Sequence, residues 1–487
     1  MRWATGADLW LSRWVFERFL AGTYLIAFVV VRNQFRPLLG EHGLLPVPQY
    51  LARTRFRRSP SLFHWRYSDR LVGVVAWLGI GVAAALLAGL PQAGPAGASM
   101  VAWLVLWALY LSVVNVGQTF YGFGWESLLL EVGFLAAFLG NAAMRPPVAV
   151  MWLLRWVLFR LEFGAGLIKL RGDPCWRDLT CLQYHHETQP MPNPLSWRFH
   201  RLPPWLHRIE VLANHVAQLV VPWLLFAPEP VATVAAVVVV VTQCWLVLSG
   251  NFSWLNLLTI ALGLAAVDGS LLARLLPVDP PRAAGSGPAW HRALVVAVAV
   301  GVVVMSWWPV RNMALPGQVM NASFNRLHLV NTYGAFGSIT RVRRELVIEG
   351  TAARALTGDV AWREYEHKGK PGDPRRRPPQ VAPYHLRLDW LLWFVALSPA
   401  YGGRWFDALL AKLLEGDRAT LRLLRYNPFP DAPPNFLRVR LYRYRFTTRP
   451  ERKATGAWWE RTLVGDLVPP VRRRSPPAAP RGSAGGA

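Results

Sequence analysis

The chain has 487 residues, 53% of them hydrophobic and 17% charged, with 25 tryptophans and three cysteines. That balance excludes a disordered, collagenous, coiled-coil or disulfide-scaffold protein. The formal charge of +25 comes from arginines placed in loops and in C-terminal segments between apolar runs. The expected partner is therefore anionic membrane lipid and not nucleic acid. Met1 to Leu11 has neither a basic start nor a small-residue cleavage site, so no cleavable signal is expected.

In chain order, stretches of roughly 20 mostly apolar residues predict nine spans. They are Leu9–Val31, Leu71–Leu90, Ala98–Gly117, Trp125–Gly140, Val148–Leu170, Val211–Ala227, Val231–Leu248, Leu255–Leu276 and Ala293–Val310. Backbone groups in lipid must be satisfied internally, so the spans are helices. Trp125–Gly140 is short and carries Glu126 and Glu131, which suits a partial or tilted span. Trp65, Tyr67, Trp205, Trp307 and Trp308 suit an interfacial belt. The loop Arg32–Arg70 holds eight arginines against Glu41 and Asp69, and the loop Arg171–Arg208 is also basic. The positive-inside rule places both in the cytoplasm.

After Val310 the pattern changes. Arg341–Gly350 and Ala361–His367 read as strands, and Lys368–Pro383 as a loop. Asp389–Leu397 and Trp405–Leu414 read as helices, the second stopped by Gly416. Leu437–Phe446 alternates as a half-buried strand, and its slip at Leu441–Tyr442 predicts a β-bulge. The fold class is thus a polytopic α-helical membrane domain (1–310) followed by a small β-rich or α+β extramembrane domain (311–450). Residues 451–487 read as a basic, Pro/Ala/Gly-rich tail, disordered at its end.

Lys169 is the only lysine before Lys368. Arginine serves wherever charge alone is needed, whereas lysine can lose its proton when desolvated. Arg155, Glu162 and Lys169 are seven residues apart and form one helical stripe facing a bundle interior or a wet cavity. Near a helix end, Lys169 is by side-chain physics expected to snorkel to the headgroups. Glu126 and Glu131 call for a buried partner, with Arg155 or Arg160 the natural choice and a register-fixing ion pair the preferred role. Cys175 and Cys181 are not CxxC; a local disulfide and two free thiols are both open. Adjacent His185 and His186 point apart on regular backbone, and a metal would need ligands such as His200 or His215, so no metal is assigned. Asn321–Ser323 fits a glycosylation acceptor in a glycosylating compartment. No nucleotide or serine-hydrolase motif is present, and no cofactor is expected.

Tyr121–Glu131 (YGFGWESLLLE), Gly172–Asn193 (GDPCWRDLTCLQYHHETQPMPN), Asn331–Gly337 (NTYGAFG), Pro383–Trp393 (PYHLRLDWLLW) and Asn427–Tyr444 (NPFPDAPPNFLRVRLYRY) resemble the lipase maturation factor family. The resemblance implies a multi-span membrane protein whose C-terminal domain faces the lumen. In eukaryotes the family sits in the endoplasmic reticulum, helps dimeric lipases reach an active fold, and has a proposed link to redox homeostasis. High Arg, Ala and Pro usage reads as bacterial, so the equivalent location is the plasma membrane. The expected function is maturation or chaperoning of a protein client such as a lipase, and not enzyme activity. Tyr333, Phe336, Trp390 and Trp393 are the candidate client surface, weighed against simple core packing.

Ala165–Leu170 (AGLIKL) is also similar to a stretch of the vitamin-K-dependent γ-carboxylases. That likeness implies an alternative: a membrane enzyme using Lys169 as a base on a quinone-like or lipid substrate, with Glu162 or Glu126 tuning it.

Overall fold

The computed structural model describes residues 9–278 and 285–472. They form two compact units. The first runs to Arg343 and takes in Arg377–Trp390; the second comprises Arg344–Arg376 and the chain from Leu391 onward.

The first unit is mainly helical. It contains α1 (Trp10–Leu39), α2 (Asp69–Ala88), α3 (Ala96–Val116), α4 (Gly124–Ala136) and α5 (Val148–Arg171). The central loop then carries α6 (Leu182–Thr188) and α7 (Pro204–His215). Next come α8 (Val231–Ser249), α9 (Leu255–Ala266), α10 (Gly269–Leu275), α11 (Ala289–Met305) and α12 (Trp307–Ala314). A short antiparallel pair, β1 (Ala322–Ser323) and β2 (Asn331–Thr332), follows.

Among the described residues five helical runs are long and apolar enough to cross a membrane: α1, α2, α3, α8 and α11 with α12. A sixth arises if α9 and α10, bent by 112°, are one broken span. This corrects the nine expected. The short candidate yields α4, only 13 residues long. Helix α5 has 24 residues but carries Arg155, Arg160, Glu162 and Lys169. Val211–Ala227 is interrupted by a π-helical turn at Val216–Val220, followed by Pro222. Proline has no N–H to return to the Gln218 carbonyl, and the wider turn accommodates that loss.

Local chemistry sets the helix ends. The Ser68 hydroxyl accepts from Leu71 N–H to start α2, and Gly89 ends it in the left-handed region at φ 84°. Exposed Val234, Val241, Val296, Val300, Val303 and Val304 on α8 and α11 form apolar faces suited to lipid. Trp65, Trp205, Trp307 and Trp308 are exposed, as an interfacial belt requires.

The second unit contains a sheet of strand order β4-β3-β5-β6, from β3 (Arg343–Thr351, entering from the first unit), β4 (Arg363–Glu364), β5 (Phe436–Phe446) and β6 (Trp459–Arg472). Its helices are the end of α13 (Arg387–Leu397), then α14 (Gly403–Glu415) and α15 (Arg449–Thr455). Helix α14 ends at Gly416 with φ 71°, and the β5–β6 register shifts at Leu441/Tyr442, both as expected. The expected second strand shrinks to two residues.

The stretch expected as a basic tail from 451 is structured as far as Arg472. A capping box of Thr448 and Glu451 starts α15, and β6 then pairs antiparallel with β5. Pro469 and Pro470 obscure β6 in the sequence, but an edge strand tolerates proline. The end expected to be disordered, from 473 onward, lies outside the described residues.

Within this unit Lys370 Nζ lies 2.5 Å from Glu345 Oε2, with both side chains 0% exposed. Removing one partner strands a charge. Glu345→Leu is expected to destabilise the unit by about 3–5 kcal/mol, whereas Glu345→Leu with Lys370→Met is nearly neutral; thermal melting of the detergent-solubilised chain checks both. His367 is buried beside them, and desolvation, then the Lys370 and Arg376 charges, lower its pKa to about 3. The unfolded chain therefore binds one more proton than the native one below pH 6.5. Stability falls as pH drops from there towards 3, by about 2 kcal/mol at pH 5 from this group. Denaturant titrations at pH 7 and pH 5 should show that loss, and His367→Phe should flatten it.

Candidate functional site

Helix α4 buries two carboxylates, Glu126 and Glu131. Glu131 pairs with Arg160 of α5. Its Oε2 also accepts from the Asn331 backbone N–H at 3.0 Å, the Asn331 side chain at 2.9 Å and the Tyr333 hydroxyl at 2.6 Å. Arg160 Nη1 donates to the Asn331 carbonyl at 2.6 Å, closing the cluster.

Glu126 is met by Arg387 Nη1 at 2.7 Å and by the Tyr110 hydroxyl. Arg387 also donates to the Phe120 carbonyl at 2.7 Å and lies over the Tyr121 ring. Gln34 of α1 holds that segment, donating to the His385 carbonyl and accepting from Arg387 N–H. Arg160 is thus the expected partner of one glutamate. Arg155 is not the other; its guanidinium faces Glu229 at 3.5 Å and the carbonyls of Leu225 and Ala266.

Lys169 does not snorkel. It is 6% exposed, because the α5 stripe faces the interior of the unit. Its Nζ donates to Gln218 Oε1 at 2.6 Å and Asn214 Oδ1 at 2.9 Å, and lies 4.9 Å from the centre of the Trp176 ring. The Gln218 amide donates on to Glu162 at 3.1 Å. Glu162 also accepts from Gln243 at 2.7 Å, and Gln243 from Asn256 at 2.7 Å. An amide thus links Lys169 to Glu162. Glu126, offered above as a tuning group, belongs to the separate Arg387 cluster.

Cys175 and Cys181 form a disulfide with Cα atoms 4.8 Å apart, packed with Trp176, Val211 and Ile339. Asp173 caps the turn, accepting from Cys175 N–H and taking both Arg341 nitrogens at 2.6 and 2.8 Å. The Arg341 guanidinium, aided by these backbone donors, holds the Asp173 carboxyl well below the usual range. Trp176 Nε1 donates to the Phe336 carbonyl at 2.8 Å.

The candidate client surface is largely interior. Tyr333 and Trp390 are buried, the first on Glu131 and the second against Trp125 and Phe123. Phe336 is half-buried against His185 and Phe252. Trp393 is half-buried, with Phe394 beside it. Aromatic residue type signals large apolar area and says nothing of which side of the surface it occupies. The sequence reading missed Arg387, Gln218 and Gln243, which only the fold brings to the buried glutamates.

Lys169→Met leaves the Asn214 and Gln218 oxygens without their donor, at about 1–3 kcal/mol each. The variant is expected to melt below the parent chain in detergent, and Lys169→Met with Gln218→Met to recover part of the loss.

The family model described as the lipase maturation factor transmembrane domain matches residues 11–274, and that of the lipase maturation factor C-terminal domain matches residues 329–469. Lipase maturation factor 1 of Bos taurus is 43% identical over 508 residues, covering 96% of this chain and 90% of the relative. The Homo sapiens protein of that name is 40% identical, covering 95% and 88%. Lipase maturation factor 2 of Homo sapiens is 29% identical, covering 96% and 83%. No solved structure matches. With its apolar helices and matched transmembrane domain, this is an integral membrane protein, and the chain belongs to the lipase maturation factor family.

Proposed function

We propose that this chain matures exported lipases, acting from a membrane as a folding or assembly factor. The observation that carries the reading is the likeness to proteins named lipase maturation factor 1 over nearly the whole length of both chains. The helical unit supplies the anchor, in which Glu126, Glu131, Arg155 and Lys169 are each held by named partners. The C-terminal unit supplies the extramembrane part. The plasma membrane of a bacterial host is the proposed location.

The maturation reading needs the disulfide loop on the exoplasmic side, and two observations support that. Cys175 and Cys181 are joined, and structural disulfides persist in oxidising compartments. The segment that leads to Arg343 is tied to the same loop, through Asp173 to Gly337 and Arg341. We take both to lie on one side of the bilayer, opposite to the side the arginine count favours.

Deleting the gene in its host, with the synthesis of each lipase held constant, is expected to lower the activity per mass of at least one exported lipase. Unchanged specific activity of every exported lipase would remove the proposal. Labelling a cysteine placed within Lys368–Pro379 with an impermeant thiol reagent on intact cells is expected to succeed. Labelling only after lysis would put the module on the wrong side for an exported client.

A further inference from the structure

We infer that His186 of α6 with His207 and Glu210 of α7 bind a zinc ion. One ligand atom from each lies within 4.8 Å of the others. His207 and Glu210 are three apart on one helical face, and α6 brings His186 against them.

The strongest sign is what these imidazoles lack. His186 is 3% exposed and His207 1% exposed. Neither nitrogen of His186 has a hydrogen-bond partner, nor does His207 Nε2. A buried imidazole with both nitrogens unsatisfied is rare, and an ion would engage one nitrogen of His186, while His207 would bind through Nδ1, the atom that faces Glu210. The ring centroids of His186 and His207 are 5.6 Å apart. With Zn–N bonds of about 2.1 Å and tetrahedral angles, two imidazoles on one ion place their centroids about 5.3 Å apart.

The carboxylate is prepared in the same way. His207 Nδ1 lies 3.0 Å from Glu210 Oε2, close to the roughly 3.3 Å separation of adjacent ligands on a tetrahedral zinc. Zinc would then replace the proton that these atoms now share. Trp245 Nε1 donates to the other oxygen, Oε1, at 3.1 Å, fixing the carboxylate plane. Phe199 lies tilted against His186 and meets Trp245 edge-on.

Two imidazoles and one carboxylate suit zinc better than calcium or magnesium, which take oxygen ligands. Three protein ligands leave the fourth position to water. The widest ligand pair must close by at most about 1.5 Å to reach tetrahedral spacing, which side-chain rotation supplies. The ion would pin α6 to α7, giving the central loop a second cross-link beside its disulfide.

The test uses the full-length chain, purified in detergent without a histidine tag, stripped with chelator and reloaded with zinc or cobalt. The expected result is one zinc per chain, visible absorption bands of tetrahedral cobalt, and a lower melting temperature after chelation. His207→Gln and Glu210→Gln are each expected to weaken zinc binding by about tenfold or more, with unchanged helical circular dichroism. His186→Ala tests the third ligand but leaves a buried gap, so the two glutamine variants decide. No zinc uptake by the parent chain, octahedral cobalt spectra, or equal zinc affinity in parent and both variants would each overturn the assignment.

Discussion

A carboxylate placed among apolar helices is tolerated when a cation or hydrogen-bond donors meet it. This chain places two on α4, a helix of 13 residues. Their partners come from far along the sequence. Asn331 and Tyr333 reach Glu131 about 200 residues on, and Arg387 reaches Glu126 after 261. The segments NTYGAFG and PYHLRLDW are therefore drawn back into the helical unit to satisfy α4. Three of the long motifs that carry the family resemblance thus build both clamps, Tyr121–Glu131 supplying the two carboxylates and the other two motifs supplying partners to one carboxylate each. Packing alone tolerates many arrangements of apolar helices, whereas each of these clusters ties α4 to particular residues of a distant segment.

This explains which parts of the structure the sequence made legible. Periodicity and turn chemistry reach only neighbours, and they located α8, α14 with its Gly416 stop, and the bulge at Leu441/Tyr442. The need of α4 for a cation was also legible from charge in an apolar run, and Arg160, one helix away, meets half of it. Arg387 could not be found this way, since no local rule relates position 387 to position 126. The aromatic residues show the same limit. Tyr333 and Trp390, weighed as client anchors against core packing, are both interior, Tyr333 on Glu131 and Trp390 against Trp125.

Lys169 stood out by composition, and its setting shows why arginine does not replace it. Its ammonium sits between two amide oxygens and an indole face. A compact ammonium fits that space, whereas a planar fork needs acceptors on several sides. Gln218, which holds Lys169 and passes a hydrogen bond to Glu162, lies in the π-helical turn before Pro222. The broken helix that ends a would-be span thus places the residue that lets an amine and a carboxylate be buried without touching.

The arginine excess has a corresponding structural use, and this undermines charge counting as a guide to orientation. Arg13 donates to the carbonyls of Leu139, Asn141 and Met144. Arg171 takes those of Met313 and Leu315, and Arg343 those of Glu187, Gln189 and Pro190. Arg13 and Arg343 close a helix end and an irregular loop whose carbonyls would otherwise be buried unpaired, and Arg171 ties down a more exposed turn. A guanidinium serves two or three carbonyls at once, which an ammonium does less well. Arginines engaged in this way answer to the backbone around them. Arg171, which opens the basic loop after α5, is held by carbonyls in this way, and the disulfide and its ties to Gly337 and Arg341 bear more directly on which side of the bilayer that chain lies.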